Sequence, residues 1–285
     1  MFKNKTILIT GGTGSLGTSL IEKLSTMNPL KIVAFSSTED KQYISKQRFG
    51  HLPFMRYRIG NVRDYDRLYE AFEDVDIVIH AAAMKCIDVC QNEPKECYKT
   101  NIAGTQNVID AAKNRKVSKV MFISTDKAVN AINAYGKSKA MAEELIIDAN
   151  KCVGDKNIKF SVCRYGNVIG SAKSVIPFWS RLVKDGIRDL PVTDARMTRF
   201  FWSMDEAVQF VIDSLEKMKG GEIFIPRLMA ARMIDVVEAF GCTWHETGIR
   251  EGEKLHEELA QGYISSEAEK MYIDMIKNYI KEWIN

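Results

Sequence analysis

The 285-residue chain has no run of about eighteen apolar residues, so no membrane-spanning helix is expected. Its N-terminus, Met1-Phe2-Lys3-Asn4-Lys5, leads into an apolar run that ends at Gly11, too short for the hydrophobic region of a signal peptide. The six cysteines (Cys86, Cys90, Cys97, Cys152, Cys163 and Cys242) show no C-x-x-C pairing, and the four histidines (His51, His80, His245 and His256) are scattered. No metal site is therefore expected, and a reducing compartment is the simplest reading. Cys163 and His80 sit in or at the end of apolar runs and read as core residues. Lys and Arg number 40 against 37 Asp and Glu, interspersed for a net charge of +3, so no concentrated basic face for nucleic acid is present. Internal repeats and low-complexity segments are also missing. The expectation is a soluble, cytoplasmic protein.

What is present is an alternation of short β-branched runs and helical periodicities, the signature of a doubly wound parallel α/β sheet of Rossmann type. Strands are expected at Thr6–Thr10, Lys31–Phe35, Met55–Ile59, Ile77–His80, Val120–Ile123 and Lys159–Arg164. Helices are expected at Ser15–Met27, from about Asp66 to Phe72, continuously over Glu96–Lys113, and over Ala134–Asn150. Regularity gives way after Tyr165, where Pro177 and Pro191 bound segments that read as irregular. This divides the chain into a dinucleotide-binding domain, residues 1–165, and a smaller mixed α/β substrate lobe, residues 166–285, with some later segments returning to the first domain. In the lobe, helices are expected near Asp205–Met218 and Arg232–Phe240, a strand at Glu222–Ile225, and a packing helix within Ser265–Asn285.

Gly11, Gly14 and Gly17 follow the first strand at once. Their spacing permits a tight turn, close approach of backbone to a pyrophosphate and tight packing of helix on strand, with helix amides facing the anion. Thr13, Ser15 and Leu16 lie in the same loop and helix start. The second strand ends in Ser36-Ser37-Thr38 rather than a carboxylate, with Glu39 and Asp40 one step later and Lys41 beyond. Room for a 2′-phosphate favours NADP, with NAD possible. Asn61 and Val62 follow the third strand, placed for an adenine ring, and Ala81-Ala82-Ala83 follows the fourth, small enough for a cofactor to lie close. Lys85 comes next, at the mouth of the expected cleft. Asn101, in the helix that also carries Thr100, reads either as a surface residue or as a brace for a catalytic loop.

The fifth strand delivers Ser124, Thr125, Asp126 and Lys127 to a strand end, where ligands collect in such sheets. Tyr135 and Lys139 then follow four apart on a helix, close enough for the ammonium to lower the phenol's pKa and prepare it to accept a proton from a sugar hydroxyl. In the later lobe, Arg199 and Arg250 are placed to clamp a diphosphate by forked hydrogen bonds.

With these motifs laid out, the chain resembles an extended short-chain dehydrogenase/reductase, and more narrowly the inverting UDP-N-acetylglucosamine 4,6-dehydratases, which also epimerise C5. The matching motifs are Thr10 to Ser15, Ala81 to Lys85, Ser124 to Ala128, Tyr135 to Lys139, Arg164 to Val168, Thr193 to Phe200 and Gly252 to Glu257. Asp126-Lys127 is the specific pair: glucose-nucleotide dehydratases carry Asp-Glu there, and 4-epimerases have neither.

The resemblance implies that Tyr135, helped by Lys139 and Thr125, takes the 4-hydroxyl proton, that Lys127 is the base at C5 and that Asp126 is the acid at the departing 6-hydroxyl. Hydride would pass from C4 to the nicotinamide and back to C6, with C5 reprotonated from the opposite face. It further implies UDP-sugar contacts at Lys85, Asn167, Thr193, Arg199, Arg250 and Glu253. Cofactor contacts would fall at Thr13 to Leu16, Lys41, Asn61, Val62, Ala81, Thr100, Tyr135, Lys139 and Val168. A homo-oligomer, dimer or larger, is expected. The chain departs from the family pattern at Ser36-Ser37-Thr38, at Asn61 and at Ala172, and it runs on for fewer residues after Glu257. A UDP-sugar 4-epimerase and a non-catalytic dinucleotide sensor are the rival readings.

Overall fold

The computed structural model describes residues 1–152 and 157–284. The side chain of Cys152, and Asn285 at the end of the expected C-terminal helix, lie outside the described residues. Through residue 165 the elements run β1 (Thr6–Thr10), α1 (Ser15–Ser25), β2 (Lys31–Ser36), α2 (Glu39–Phe49), β3 (Met55–Ile59), α3 (Tyr65–Ala71), β4 (Ile77–His80), α4 (Ile87–Asn92) and α5 (Pro94–Tyr98). They continue with α6 (Gly104–Arg115), β5 (Lys119–Thr125), α7 (Ala134–Ala149) and β6 (Lys159–Tyr165). The later chain adds β7 (Asn167–Val168), α8 (Val175–Lys184), β8 (Asp189–Val192), β9 (Thr198–Trp202), α9 (Met204–Lys217) and β10 (Ile223–Phe224). After these come β11 (Met229–Arg232), α10 (Met233–Ala239), β12 (Thr243–Glu246), β13 (Glu258–Ala260), β14 (Tyr263–Ile264) and α11 (Ile273–Ile284).

Seven parallel strands form the main sheet in the order β10-β6-β5-β4-β1-β2-β3. The order reverses between β1 and β4, which opens a crevice at their carboxyl ends. The central strands are covered on both faces, whereas the edge strand β3 is partly open to solvent: Ile7 and Ile9 point into one hydrophobic cluster with Leu20, Leu24 and Leu215, while Leu8 points into the other with Val108, Ile146 and Phe160. Each large side chain buried this way stabilises the fold by about 1.5–3 kcal/mol. Although late in the chain, α9 and β10 complete this sheet and its first face.

A third cluster, with Ile176, Trp179, Leu190, Phe240 and Ile280, is drawn from residues after β7. Here the segment between Pro177 and Pro191 is not irregular. Pro177 is the third residue of α8, where its missing N–H has no intrahelical partner to lose, and Pro191 sits in the short strand β8, paired only with β12. The continuous helix expected over Glu96–Lys113 is also interrupted. It begins at Pro94 and is broken by a π-helical turn at Lys99–Ala103 before α6. The C-terminal helix packs as expected, with Ile276 and Ile280 buried, and Trp283 covers Gly170.

Candidate active site

β5 runs buried through Val120, Met121 and Phe122, and the chain then tightens into a 3₁₀ turn at Asp126–Ala128. Asp126 is fully buried: Oδ1 accepts from Thr125 Oγ1 at 2.9 Å and from Lys127 Nζ at 3.0 Å, while Oδ2 has no hydrogen-bond partner. Lys127 Nζ also lies 3.2 Å from Glu257 Oε1 and 3.4 Å from Asn167 Oδ1. Burial opposes the charge on Lys127, but Asp126 and Glu257 outweigh it and raise its pKa above the ordinary lysine range. The resting group is an ammonium.

The next helix is set against this turn by two local devices. Asn133 caps α7, its Oδ1 accepting from Gly136 N at 2.7 Å, and Gly136 lets the first helical turn touch the Asp126–Ala128 turn, since a Cβ there would fall 2.2 Å from the Lys127 carbonyl oxygen. Tyr135 and Lys139 are both buried on α7. Burial pushes the Tyr135 phenol up to about 12, against the pull of Lys127 and of a hydrogen bond with Thr125. Burial also lowers Lys139 to about 7, with Glu143 and Cys97 opposing. The expected lowering of the phenol by Lys139 is not what the structure shows. Lys139 Nζ donates to Ile123 O at 2.5 Å and lies 3.8 Å from the centre of the Phe122 ring, so the neighbouring cation that acts on Tyr135 is Lys127.

At the crevice, Gly11 is left-handed (φ +69°), and a Cβ on it would meet Ala82 N at 2.9 Å; one on Gly17 would meet Gly11 O at 2.6 Å. Bare backbone thus faces the N-terminus of the 11-residue α1, a cradle fit for a pyrophosphate. Thr13 Oγ1 donates to Ser36 Oγ at 2.8 Å, tying the loop to the end of β2, and Ser15 Oγ accepts from Ala172 N at 3.0 Å. Thr13, Gly14, Ser15 and Lys41 line one end of a cleft of about 1040 Å³. Ala81 N and Ala82 N are held by Thr10 O and Thr10 Oγ1.

The remaining predicted cofactor residues are scattered in role. Leu16 is half-buried against the first hydrophobic cluster, Val168 is half-buried in β7, and Asn61 is exposed with Oδ1 accepting from Arg63 N at 3.1 Å. Val62 is 4% exposed and packs into the second cluster, close against Gly104 of α6. Thr100, in the π turn, accepts from Arg63 Nε at 2.8 Å and donates to Glu96 O at 2.9 Å. Asn101 is a brace and not a surface residue, since it is buried and bonds both the amide and the carbonyl of Met84. His80 is a core residue as expected, buried between Thr10 and Thr105, with its pKa lowered by burial to about 3. Cys163 is fully buried.

Of the predicted substrate residues, the structure brings Asn167 to Lys127. Arg199 arrives close by but is turned inward: Nη1 donates to Thr198 O and Leu255 O at 2.7 and 3.0 Å, and Nη2 to Lys254 O at 2.9 Å. Its fork grips main-chain carbonyls, where a diphosphate clamp was expected. Arg250 is exposed, 3.8 Å from the Asp88 carboxylate, and Lys85 is exposed. Thr193 Oγ1 lies 3.3 Å from Met197 Sδ, and Glu253 Oε2 is buried without a partner. Sequence reasoning missed Lys254 and Glu257 as site residues. The signal was a base and an acid three apart in an aperiodic stretch, and nothing in that spacing joins them to Lys127.

The doubly wound sheet, the glycine cradle and the Thr-Asp-Lys, Tyr and Lys cluster define an extended short-chain dehydrogenase/reductase. Residues 7–278 match the family model described as polysaccharide biosynthesis protein, and the chain belongs to that family. It is 48% identical over 260 residues to a UDP-N-acetylglucosamine 4,6-dehydratase (inverting) from Campylobacter jejuni, covering 90% of this chain and 78% of the relative. A UDP-glucose 4-epimerase from Rickettsia rickettsii is 36% identical over 290 residues, 99% of this chain and 83% of the relative. Among solved structures, Pen from Bacillus thuringiensis superposes with a TM-score of 0.93 at 34% identity, covering 99% of both chains.

Proposed function

We propose that the chain is an inverting UDP-N-acetylglucosamine 4,6-dehydratase, yielding a UDP-2-acetamido-2,6-dideoxy-L-hexos-4-ulose by loss of water with epimerisation at C5. The observation that carries this is the buried Asp126-Lys127 pair, joined at 3.0 Å beside Asn167 and next to Tyr135. The 48% identical dehydratase supports it. In this reading Tyr135 takes the proton of the sugar's 4-hydroxyl, since Lys127 and Thr125 both favour its phenolate. Lys127 then removes the C5 proton, which the ketone at C4 has made acidic, and Asp126 protonates the departing 6-hydroxyl. Return of a proton to C5 from the opposite face inverts that centre.

A nicotinamide dinucleotide held at Gly11, Thr13, Gly14, Ser15 and Gly17 supplies uptake and return of hydride when bound. Ser36, Ser37 and Thr38 hold the end of β2 where a carboxylate would favour NAD, and Lys41 follows Glu39 and Asp40 in the first turn of α2; the polar strand end and Lys41 support NADP over NAD. Residues 1–165 serve the cofactor and 166–285 the sugar nucleotide, apart from α9 and β10. A cytoplasmic homo-oligomer belongs to the same reading, and sedimentation would test its assembly. Among the described residues no helix is long and apolar enough to cross a membrane.

Incubation with UDP-N-acetylglucosamine in deuterated water, followed by NMR, tests the reading. A 4-keto-6-deoxy product with deuterium at C5 and the L configuration is expected. Return of unchanged sugar overturns it. The Rickettsia relative favours a second reading, 4-epimerisation, which would leave Lys127 idle and give the C4 epimer as product.

A further inference from the structure

Glu257 is 2% exposed, and three cations surround it: Lys127 at 3.2 Å, Arg199 at 3.9 Å and Lys254 at 3.9 Å. It is placed by main-chain bonds on both sides. Its N–H donates to Ser265 Oγ at 2.9 Å, its carbonyl accepts from Ser265 N, and Arg199 holds the carbonyls of Lys254 and Leu255 just before it. A buried carboxylate costs several kcal/mol unless it is paired, so this much scaffolding around one indicates a task. The charged and titratable groups that face Lys127 are Asp126, Tyr135, Glu257, Arg199 and Lys254. Two of them are carboxylates with one oxygen on the amine and the other without a hydrogen bond.

A lysine that rests as an ammonium cannot take a proton from carbon. It must first give one away, and both Asp126 and Glu257 stand within reach. They differ in their other neighbours: Arg199 and Lys254 sit on Glu257, whereas Asp126 receives only the Thr125 hydroxyl besides the amine. Protonating Glu257 would leave its two remaining cations uncompensated in a buried site.

We propose that Glu257 is the positioning residue for Lys127, holding the amine against Asp126 and leaving Asp126 as the carboxylate that receives its proton. This rests on the dehydratase reading. One Nζ–H bond breaks and an Oδ1–H bond forms, giving an amine and a carboxylic acid side by side. The amine's lone pair takes the C5 proton, the Asp126 proton leaves with the C6 oxygen as water, and both groups regain their charges. A single shared proton thus prepares base and acid together.

The test is an NMR titration of the Lys127 ammonium in ¹⁵N-lysine-labelled protein, assigned with Lys127→Arg, comparing wild type with Glu257→Gln and Glu257→Asp. Wild-type Lys127 should stay protonated beyond the pH at which the surface lysines titrate, and Glu257→Gln should bring its titration down by at least one pH unit. Glu257→Asp should fall between. With substrate, Glu257→Gln should lower kcat about tenfold to a hundredfold with KM changed less than threefold, and move the pH profile of kcat, while Glu257→Asp recovers part of the loss. A Lys127 titration unchanged in both variants overturns the proposal, as does a loss confined to KM. The titration needs no substrate, so a wild-type protein that makes no 4-keto product refutes the dehydratase reading and leaves Glu257 judged by its effect on Lys127. If Glu257→Gln does not fold, Glu257→Asp decides by the same shift.

Discussion

Asn101 Nδ2 donates to Ser138 Oγ at 2.9 Å, and Ser138 Oγ donates to the Tyr135 carbonyl at 2.7 Å, so the π turn is bonded through α7 to the residue that carries the phenol. The same amide accepts from Met84 N at 2.8 Å and donates to Met84 O at 2.9 Å. One side chain therefore registers the segment after β4 against α7. Asn101→Ala strands these partners in a buried site, and a loss of about 1–3 kcal/mol in unfolding free energy is expected by urea titration. Because the phenol's position depends on the bridge, kcat should fall roughly tenfold or more. An unchanged kcat in a destabilised but folded variant would show that the bridge serves the fold alone.

Lys127→Ala separates the two enzymatic readings. If Lys127 is the base at C5, formation of the 4-keto product and deuterium entry at C5 should both fall by at least about a hundredfold. If the chain is a 4-epimerase, turnover should persist. The substitution leaves Asp126 and Glu257 buried without their shared cation, so dinucleotide binding by calorimetry must be measured beside it, and it should survive because Lys127 is outside the glycine cradle.

How far the sequence carried the reader can be judged from particular elements. The spans of β1 and β4 were legible to the residue because a strand buried on both faces must be an unbroken apolar or β-branched run bounded by turns. Asp126, Lys127, Tyr135 and Lys139 were legible as a group because all four lie on two neighbouring elements. α8 was hidden by Pro177, whose usual meaning as a breaker does not hold in the first turn of a helix. The π turn was hidden too: one extra residue per turn leaves no mark on periodicity, yet it swings Asn101 to Met84 and Ser138. Two placements were not legible: the inward turn of Arg199 onto main-chain carbonyls, and the approach of Glu257, read only as the end of the Gly252–Glu257 motif, to Lys127. The contacts around Lys127 join residues far apart in the chain, and no local pattern encodes such a pairing.

The glycine cradle makes a sharper prediction than a motif match. A Cβ at Gly17 would lie 2.6 Å from Gly11 O and 2.6 Å from Gly12 Cα, both main-chain atoms that cannot rotate aside. Gly17→Ala should push α1 away from the loop at a cost of about 1–3 kcal/mol. The loop amides move with it, so dinucleotide affinity should drop on the order of tenfold to a hundredfold by titration calorimetry. Gly186→Ala is the control for side-chain bulk alone, because nothing lies within 4 Å of a Cβ there, although its left-handed φ still carries local strain.

Lys139 gives the unliganded protein a pH dependence whose sign follows from its surroundings. Its pKa falls from 10.5 to about 7 on burial, so between those values the unfolded chain binds a proton that the folded chain does not. Stability must then rise with pH across that window, and the penalty is fully present below about pH 7, where the buried amine is charged in both states. At about 1.4 kcal/mol per pH unit of displacement the effect is a few kcal/mol. Lys139→Met removes the charge that lies over Phe122 and keeps much of the side-chain volume. Urea unfolding at pH 6.5 and pH 9 should therefore show the wild type gaining stability on the alkaline side relative to the variant, and the variant the more stable of the two at pH 6.5. A flat difference between the two proteins would mean that Lys139 keeps its proton through this window, with the Ile123 carbonyl and Glu143 holding the ammonium against desolvation.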